Sequence, residues 1–260
     1  MSQSRAPLAF PKLATARPAP SPPPDWGILL DRAGVTVEPL QLAALQDLVS
    51  LLLGATQLMN LTAAREPEAV WRTMIFDALT LCPLLRALPD GAEVADVGCG
   101  GGFPGLPLAI LFPNLRFTLI DATAKKIAFV NHAAGELRLA HARGVAGRAE
   151  ALAAADTGKY RERFDLVVAR AVAPLRILLE LTAPLARAPE EGAGAGRLAL
   201  VKGERAEEEL KLAQRAIELL EVTFDQSFAT PTGQVLLFTK SAPCALCYPR
   251  SNGAFKRSPL

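Results

Sequence analysis

Val94-Ala-Asp-Val-Gly-Cys-Gly-Gly-Gly-Phe-Pro-Gly105 decides the fold. Val94, Ala95 and Val97 read as the end of a buried strand, and Leu106 to Phe112 reads as a helix. Between them stand glycines at 98, 100, 101 and 102, more than a structural turn requires. A strand that passes through glycines into a helix aims backbone N–H groups and a helix N-terminus at whatever lies above the turn. Glycine there admits positive φ and leaves room for a ligand to approach the backbone. A nucleotide-like cofactor suits such a turn.

The details of the run choose among cofactors. The dinucleotide fingerprint G-x-G-x-x-G fits at Gly98 and Gly100 and then fails, because position 103 is Phe. A phosphate-binding loop fails too, since no Gly-Lys-Ser or Gly-Lys-Thr closes the run. Two acids remain, Asp96 before the first glycine and Asp121 at the end of the next strand. Asp121 is placed to accept hydrogen bonds from a ribose, and Asp96 to face an ammonium group or order water beneath the loop. This arrangement resembles the first motifs of class I S-adenosylmethionine-dependent methyltransferases.

Around this centre the chain alternates. Strands are expected at 93–97, 116–121, 143–147, 164–169 and 197–202, and helices at 105–112, 124–140, 174–186 and 204–220. Segments 222–228 and 234–239 read as two successive strands that pair antiparallel. The fold class is therefore α/β, a mostly parallel sheet with helices on both faces. Ligands on such sheets sit outside the carboxyl ends of the strands. Gly98, Asp121, Gly147 to Glu150, Arg170 and Lys202 occupy those ends.

Four units follow from composition. Residues 1–24 carry seven prolines among Ala, Ser and Arg and read as a disordered tail. Residues 25–90 read as a helical extension: Leu40, Leu42, Leu45, Leu48, Val49, Leu52 and Leu53 mark a broad apolar face, and Glu66-Pro67-Glu68 opens a helix through Trp71, Ile75 and Leu79. Residues 91–240 form the cofactor-binding domain, and 241–260 a basic C-terminal tail. Both ends hold basic residues and no acids, whereas acids outnumber bases between them. Basic ends suit a polyanionic partner or simply solvated tails. The tail at 241–260 is expected to contact such a partner without affecting cofactor binding.

Apolar stretches are interrupted before membrane-spanning length, and no apolar segment follows the N-terminus as a secretory signal would. A cytoplasmic monomer is expected. Cys82, Cys99, Cys244 and Cys247 form no disulfide framework, and the lone pair Cys244-Ala-Leu-Cys247 has no second pair to complete a zinc site.

Seven separated motifs, in order, make the resemblance specific: Asn60-Leu-Thr-Ala63, the run from Asp96 to Gly105, Asp121-Ala-Thr-Ala-Lys-Lys126, Gly147-Arg-Ala-Glu150, Ala169-Arg-Ala171, Val201-Lys-Gly203, and Tyr248-Pro-Arg250 with Pro259-Leu260. Over roughly residues 40 to 260 the chain resembles the bacterial glucose-inhibited division protein B family, the 16S rRNA guanine-N7 methyltransferases. The resemblance implies S-adenosylmethionine as cofactor, and 16S rRNA, a small ribosomal subunit or an assembly intermediate as partner. The implied target is guanine 527 in the decoding-region loop. For the cofactor it implies Gly98 and Phe103 on the turn; Asp121, Ala122 and Thr123 at the ribose; Ala149 and Glu150 at the adenine; and Arg170 closing the site. Asn60 and Lys202 are the candidates for contact with the base or its phosphates.

Each residue has a plainer reading. Asp121 would cap the following helix, Glu150 would sit in a helical first turn, and Arg170 would pair with a carboxylate. The sequence also departs from the family pattern. The family's histidine and Asp-Ser pair becomes Met74 with Asp77-Ala78, and its Arg-His pair in the last hairpin becomes Gly233-Gln234.

Guanine N7 carries an exposed lone pair at neutral pH, so no catalytic acid–base residue is expected. Acceleration would come from alignment. An NAD-dependent oxidoreductase fails on Phe103. A small-molecule methyltransferase, another RNA target, or a non-catalytic ribosome assembly factor remain open as alternatives at this point.

Overall fold

A computed structural model describes residues 19–156, 158–190, 194–251 and 253–260. The proline-rich tail lies outside the described residues up to position 18. Its last residues run onto the body, where Pro23 is buried and its carbonyl accepts the N–H of Trp26 at 3.0 Å.

Five helices come first: α1 (Trp26–Ala33), α2 (Pro39–Leu58), α3 (Pro67–Val70), α4 (Phe76–Leu79) and α5 (Cys82–Arg86). Proline stands in the first turn of α2 and of α3, where its missing N–H costs nothing. A π-helical turn, Trp71–Ile75, joins α3 to α4 and turns both Trp71 and Ile75 into the core. Periodicity alone implied one continuous helix there; the wider turn is the difference. By length and composition α2 is the one described helix apolar enough to span a membrane. Its residues Leu45, Leu48, Leu51 and Leu52 are instead fully buried in this protein's core.

The alternating part follows as β1 (Glu93–Val97), α6 (Gly105–Leu111), β2 (Arg116–Asp121), α7 (Ala124–Glu136), β3 (Ala142–Ala146), α8 (Ala149–Leu152), β4 (Leu166–Arg170), α9 (Leu175–Thr182), β5 (Arg197–Lys202), α10 (Ala206–Leu212), α11 (Gln214–Leu219), β6 (Val222–Thr230), β7 (Gly233–Lys240) and α12 (Ala254–Arg257). The seven strands form one sheet in the order β3-β2-β1-β4-β5-β7-β6. The first five are parallel, and β7 pairs antiparallel with both β5 and β6. This is the doubly wound, mostly parallel sheet expected. Three helices are shorter than their periodicity implied. Helix α7 stops at Glu136, with Arg138 at positive φ. Helix α9 gives way to a tight turn at Ala183–Leu185, which contains Pro184. The expected helix 204–220 breaks at Ala213.

The sheet buries both faces, as crossover helices require. One apolar cluster joins α1 to α7 to one face; a second joins α9, α11 and residues Cys244 and Phe255 to the other. Asp77 ties the helical layer to the far hairpin. One of its oxygens accepts the backbone N–H and the hydroxyl of Thr232 at 3.1 and 2.7 Å, and the other pairs with Arg170 at 3.1 Å. Asp77 is almost fully buried, so its removal leaves a guanidinium and two donors without their acceptor. We expect Asp77→Ala to lower unfolding free energy by roughly 2–4 kcal/mol, read as a lower midpoint in urea; an unchanged midpoint would show the link to be dispensable.

Candidate cofactor site at the carboxyl ends of the strands

Strand order reverses between β1 and β4, and the crevice opens above that point. The glycine turn forms its floor. Gly98 has φ of 73°, and a Cβ there would come within 2.6 Å of a Val172 methyl. Gly100 has φ of 56° and sends its N–H to Asp121 Oδ2 at 3.1 Å. From the β4 side, Arg170 ends the strand and Ala171 takes the left-handed conformation, φ 54°, which starts the loop carrying Val172 and Ala173.

A cavity of about 160 Å³ sits here. Of the residues singled out in the sequence, Gly98, Asp121, Ala122, Ala149 and Glu150 line it together. The others stand around it. Phe103 is buried in the apolar cluster beneath the turn, with its N–H on the Cys99 carbonyl. Thr123 donates its N–H to Asp121 Oδ1 at 2.7 Å. Arg170 pairs with Asp77 rather than reaching the cavity wall. Asn60 accepts from Arg65 at 3.2 Å, and its neighbour Leu61 lies close over Gly101. Lys202 is engaged internally: its Nζ donates to the Ala173 carbonyl at 2.7 Å and pairs with Glu209 at 2.8 Å.

Asp121 serves the backbone around it and also faces the cavity. Its carboxylate braces two backbone N–H groups, one on the glycine turn and one opening α7, and it forms part of the cavity wall. Lys126 stands 4.0 Å away.

Asp96 lies deeper. Its Oδ2 accepts the Gly105 N–H at 2.8 Å, while its Oδ1 is buried with no hydrogen-bond partner among the described residues. Burial pushes its pKa up to about 7 from an ordinary 3.8; the Gly105 N–H and the charge of Arg170 oppose that rise, and the charge of Asp121 adds to it.

Sequence reasoning missed six wall residues: Val172, Ala173, Ile177, Leu181, Phe255 and Lys256. The signal was faint, one aromatic residue in a basic tail beside the Tyr248-Pro-Arg250 motif. Residues 241–260 read in the sequence as a tail; their described part instead packs on the body and lines this cavity. Arg250 pairs with Glu180 at 2.6 Å, and Phe255 is buried against the cavity, so most of this segment belongs to the body. A larger groove, about 830 Å³, lies between α1, α5 and β6, but none of the strand-end groups lines it.

A family model described as rRNA small subunit methyltransferase G matches residues 41–234. Over 237 residues the chain is 42% identical to Ribosomal RNA small subunit methyltransferase G of Sorangium cellulosum (strain So ce56), covering 91% of this chain and 94% of that one. The chain belongs to the rRNA small subunit methyltransferase G family. Another relative bearing the same name, from Synechococcus sp. (strain JA-3-3Ab), is 36% identical over 262 residues, with 94% of this chain and 96% of that one covered. Among solved structures, a putative S-adenosyl-L-methionine-dependent methyltransferase from Methanococcus maripaludis aligns with a TM-score of 0.49 and 12% identity, over 64% of this chain and 85% of that one.

S-adenosylmethionine is the cofactor that the sequence resemblance implies for this crevice. The residues present fit it. The unpartnered Asp96 Oδ1 offers a buried acceptor beneath the turn, and a side chain at Gly98 would crowd the crevice. Because burial raises the folded pKa of Asp96, the folded protein keeps a proton that the unfolded chain releases from about pH 4 upward. Stability from this group is therefore full below about pH 4 and falls as pH rises towards 7. Asp96→Asn removes that slope. Thermal melts from pH 4 to 8 should show the variant gaining on the wild type up to about pH 7 and holding the gain above it. A constant gap would show that Asp96 does not titrate in this range.

Proposed function

We propose that this chain transfers the methyl group of S-adenosylmethionine to N7 of guanine 527 in the decoding-region loop of 16S rRNA. It acts as a cytoplasmic monomer on the small subunit or an assembly intermediate. One observation carries the reading: in a chain of this family, Gly98, Asp121, Ala149 and Glu150 converge on one crevice at the strand ends, and the described residues lining it include no histidine. His141 lies at the opposite end of β3, its Nε2 2.9 Å from the Ala109 carbonyl, and His132 lies on α7.

Attack by N7 calls for no proton acceptor. The lone pair forms the new N–CH₃ bond as the S–CH₃ bond breaks, and positive charge passes from sulfur to the imidazole ring of the base. No proton moves. When bound, the cofactor supplies a methyl already activated on a sulfonium. The protein's part is to hold and align. Asp121 would hold the ribose hydroxyls through its carboxylate, with Ala122 and Thr123 shaping the same side. Ala149 and Glu150 would face the adenine edge. Gly98 would pass close to the amino-acid half, with Asp96 beneath it, and Phe103 would fix the turn from below. Arg170, held by Asp77 away from the cavity wall, would support the end of β4 behind the site. Asn60, beside the Leu61 that covers Gly101, is the candidate for the target base. Lys202 would act mainly by fixing Ala173 in the cavity wall, with its outward contact to a phosphate secondary.

A base stacked in a helix does not offer N7 in line with a buried methyl, so the guanine is taken from a loop or extruded. We expect tritiated-methyl transfer to a small-subunit particle and little to an oligonucleotide of the same local sequence. Nucleoside mass spectrometry of the product should show 7-methylguanosine. Equal rates on particle, naked rRNA and oligonucleotide would mean that local sequence selects the target. For the cofactor, Asp121→Asn should cost about 1–3 kcal/mol of S-adenosylhomocysteine affinity by calorimetry. Asparagine keeps an acceptor for one of the two backbone N–H groups and sets its amide nitrogen against the other, so it should loosen the turn less than alanine, which keeps neither.

A further inference from the structure

We propose that the C-terminal segment from Tyr248 to Arg257 is the outer wall of the cofactor site, with Phe255 as its apolar surface and Lys256 at its rim. The inference rests on reading the strand-end crevice as the cofactor site.

Helix α9 supplies the reason the segment docks. Ile177 and Leu181 of α9 line the cavity, and Glu180 between them is completely buried. A lone carboxylate there would be costly, and among the described residues Arg250 of the C-terminal segment relieves it. Arg250 does so with its backbone N–H and its Nε, both 2.8 Å from Glu180 Oε1, and with a terminal guanidinium nitrogen 2.6 Å from Oε2. The stretch before Arg250 is held from the other side. The Arg161 guanidinium donates to the carbonyls of Cys244 and Tyr248, each at 2.7 Å, and the Glu162 carboxylate accepts the Cys244 N–H at 2.6 Å. Fixed at both points, the chain turns through Gly253, φ 69°, into α12.

That turn delivers Phe255 and Lys256 to the cavity that Asp121, Ala149 and Glu150 line from the sheet side. Phe255 is 1% exposed, and the Lys256 Nζ lies 5.9 Å from its ring centroid. Val97, Ile120, Ile177, Leu181 and Phe255 give the cavity its apolar walls. A purine ring has two apolar faces and a polar edge. The walls suit the faces, and Glu150 suits the edge. Docking of the segment and binding of the adenosine end are therefore linked: each completes the surface the other needs.

The test uses the full-length protein and S-adenosylhomocysteine. By calorimetry, Phe255→Ala should weaken binding roughly tenfold or more, and Phe255→Leu should recover most of the loss, because the wall is apolar rather than specifically aromatic. Ligand should also slow tryptic cleavage after Lys256 and Arg257 in the wild type, with a midpoint at the calorimetric Kd. That arm decides the matter even if Phe255→Ala fails to fold. Wild-type affinity in a folded Phe255→Ala protein, or cleavage indifferent to ligand, overturns the proposal. If Asp121→Asn still loses affinity in that case, the crevice remains the cofactor site and only the wall is wrong. If Asp121→Asn also binds normally, the crevice itself has been misread and both inferences fall.

Discussion

A carboxyl group sealed at the end of the central strand governs this molecule. Asp96 lies in β1 between β2 and β4, and its one protein partner is the N–H that opens α6. That contact folds the glycine turn back over the strand and sets where the backbone faces the crevice. The same burial that makes the contact strong leaves the second oxygen unsatisfied and pushes the pKa up to about 7. Stability and ligand reception pull on this residue in opposite directions. The fold alone would rather have this group neutral.

Around that centre the wall is made by elements far apart in sequence. The glycine turn, the end of β2, the start of α8, the loop after β4 and α12 meet at one small cavity. Most are placed by the sheet itself, because parallel strands put all their carboxyl ends on one side. The loop after β4 needs more support. Lys202 holds its Ala173 carbonyl, and Glu209, which pairs with Lys202, also accepts the Leu175 N–H at 2.6 Å. A lysine that looked in the sequence like a hand extended to RNA is mostly a strut.

What was legible in the sequence is what local pattern encodes. Alternation of apolar runs gave the strands, and the glycines with their two flanking acids gave the crevice and its cofactor class. Arg170, Asp77 and Thr232 were each visible, but nothing local says that they meet, since 155 residues separate Asp77 from Thr232. The π turn at Trp71 was hidden because its apolar spacing is also helical. The C-terminal segment misled for a different reason. Its charges were counted as a field, whereas Arg250 is matched to one buried carboxylate that composition cannot reveal.

The position of β7 has a consequence in time. It is the last strand in the chain, yet it lies between β5 and β6, bonded to both. During synthesis from the amino end, β6 exists before the strand that will attach it to the sheet, and β5 has an open edge until then. The antiparallel edge therefore closes in one late step, when residues 233–240 become free to insert. A chain whose synthesis pauses before residue 240 has emerged carries an open edge at β5 and an unattached β6.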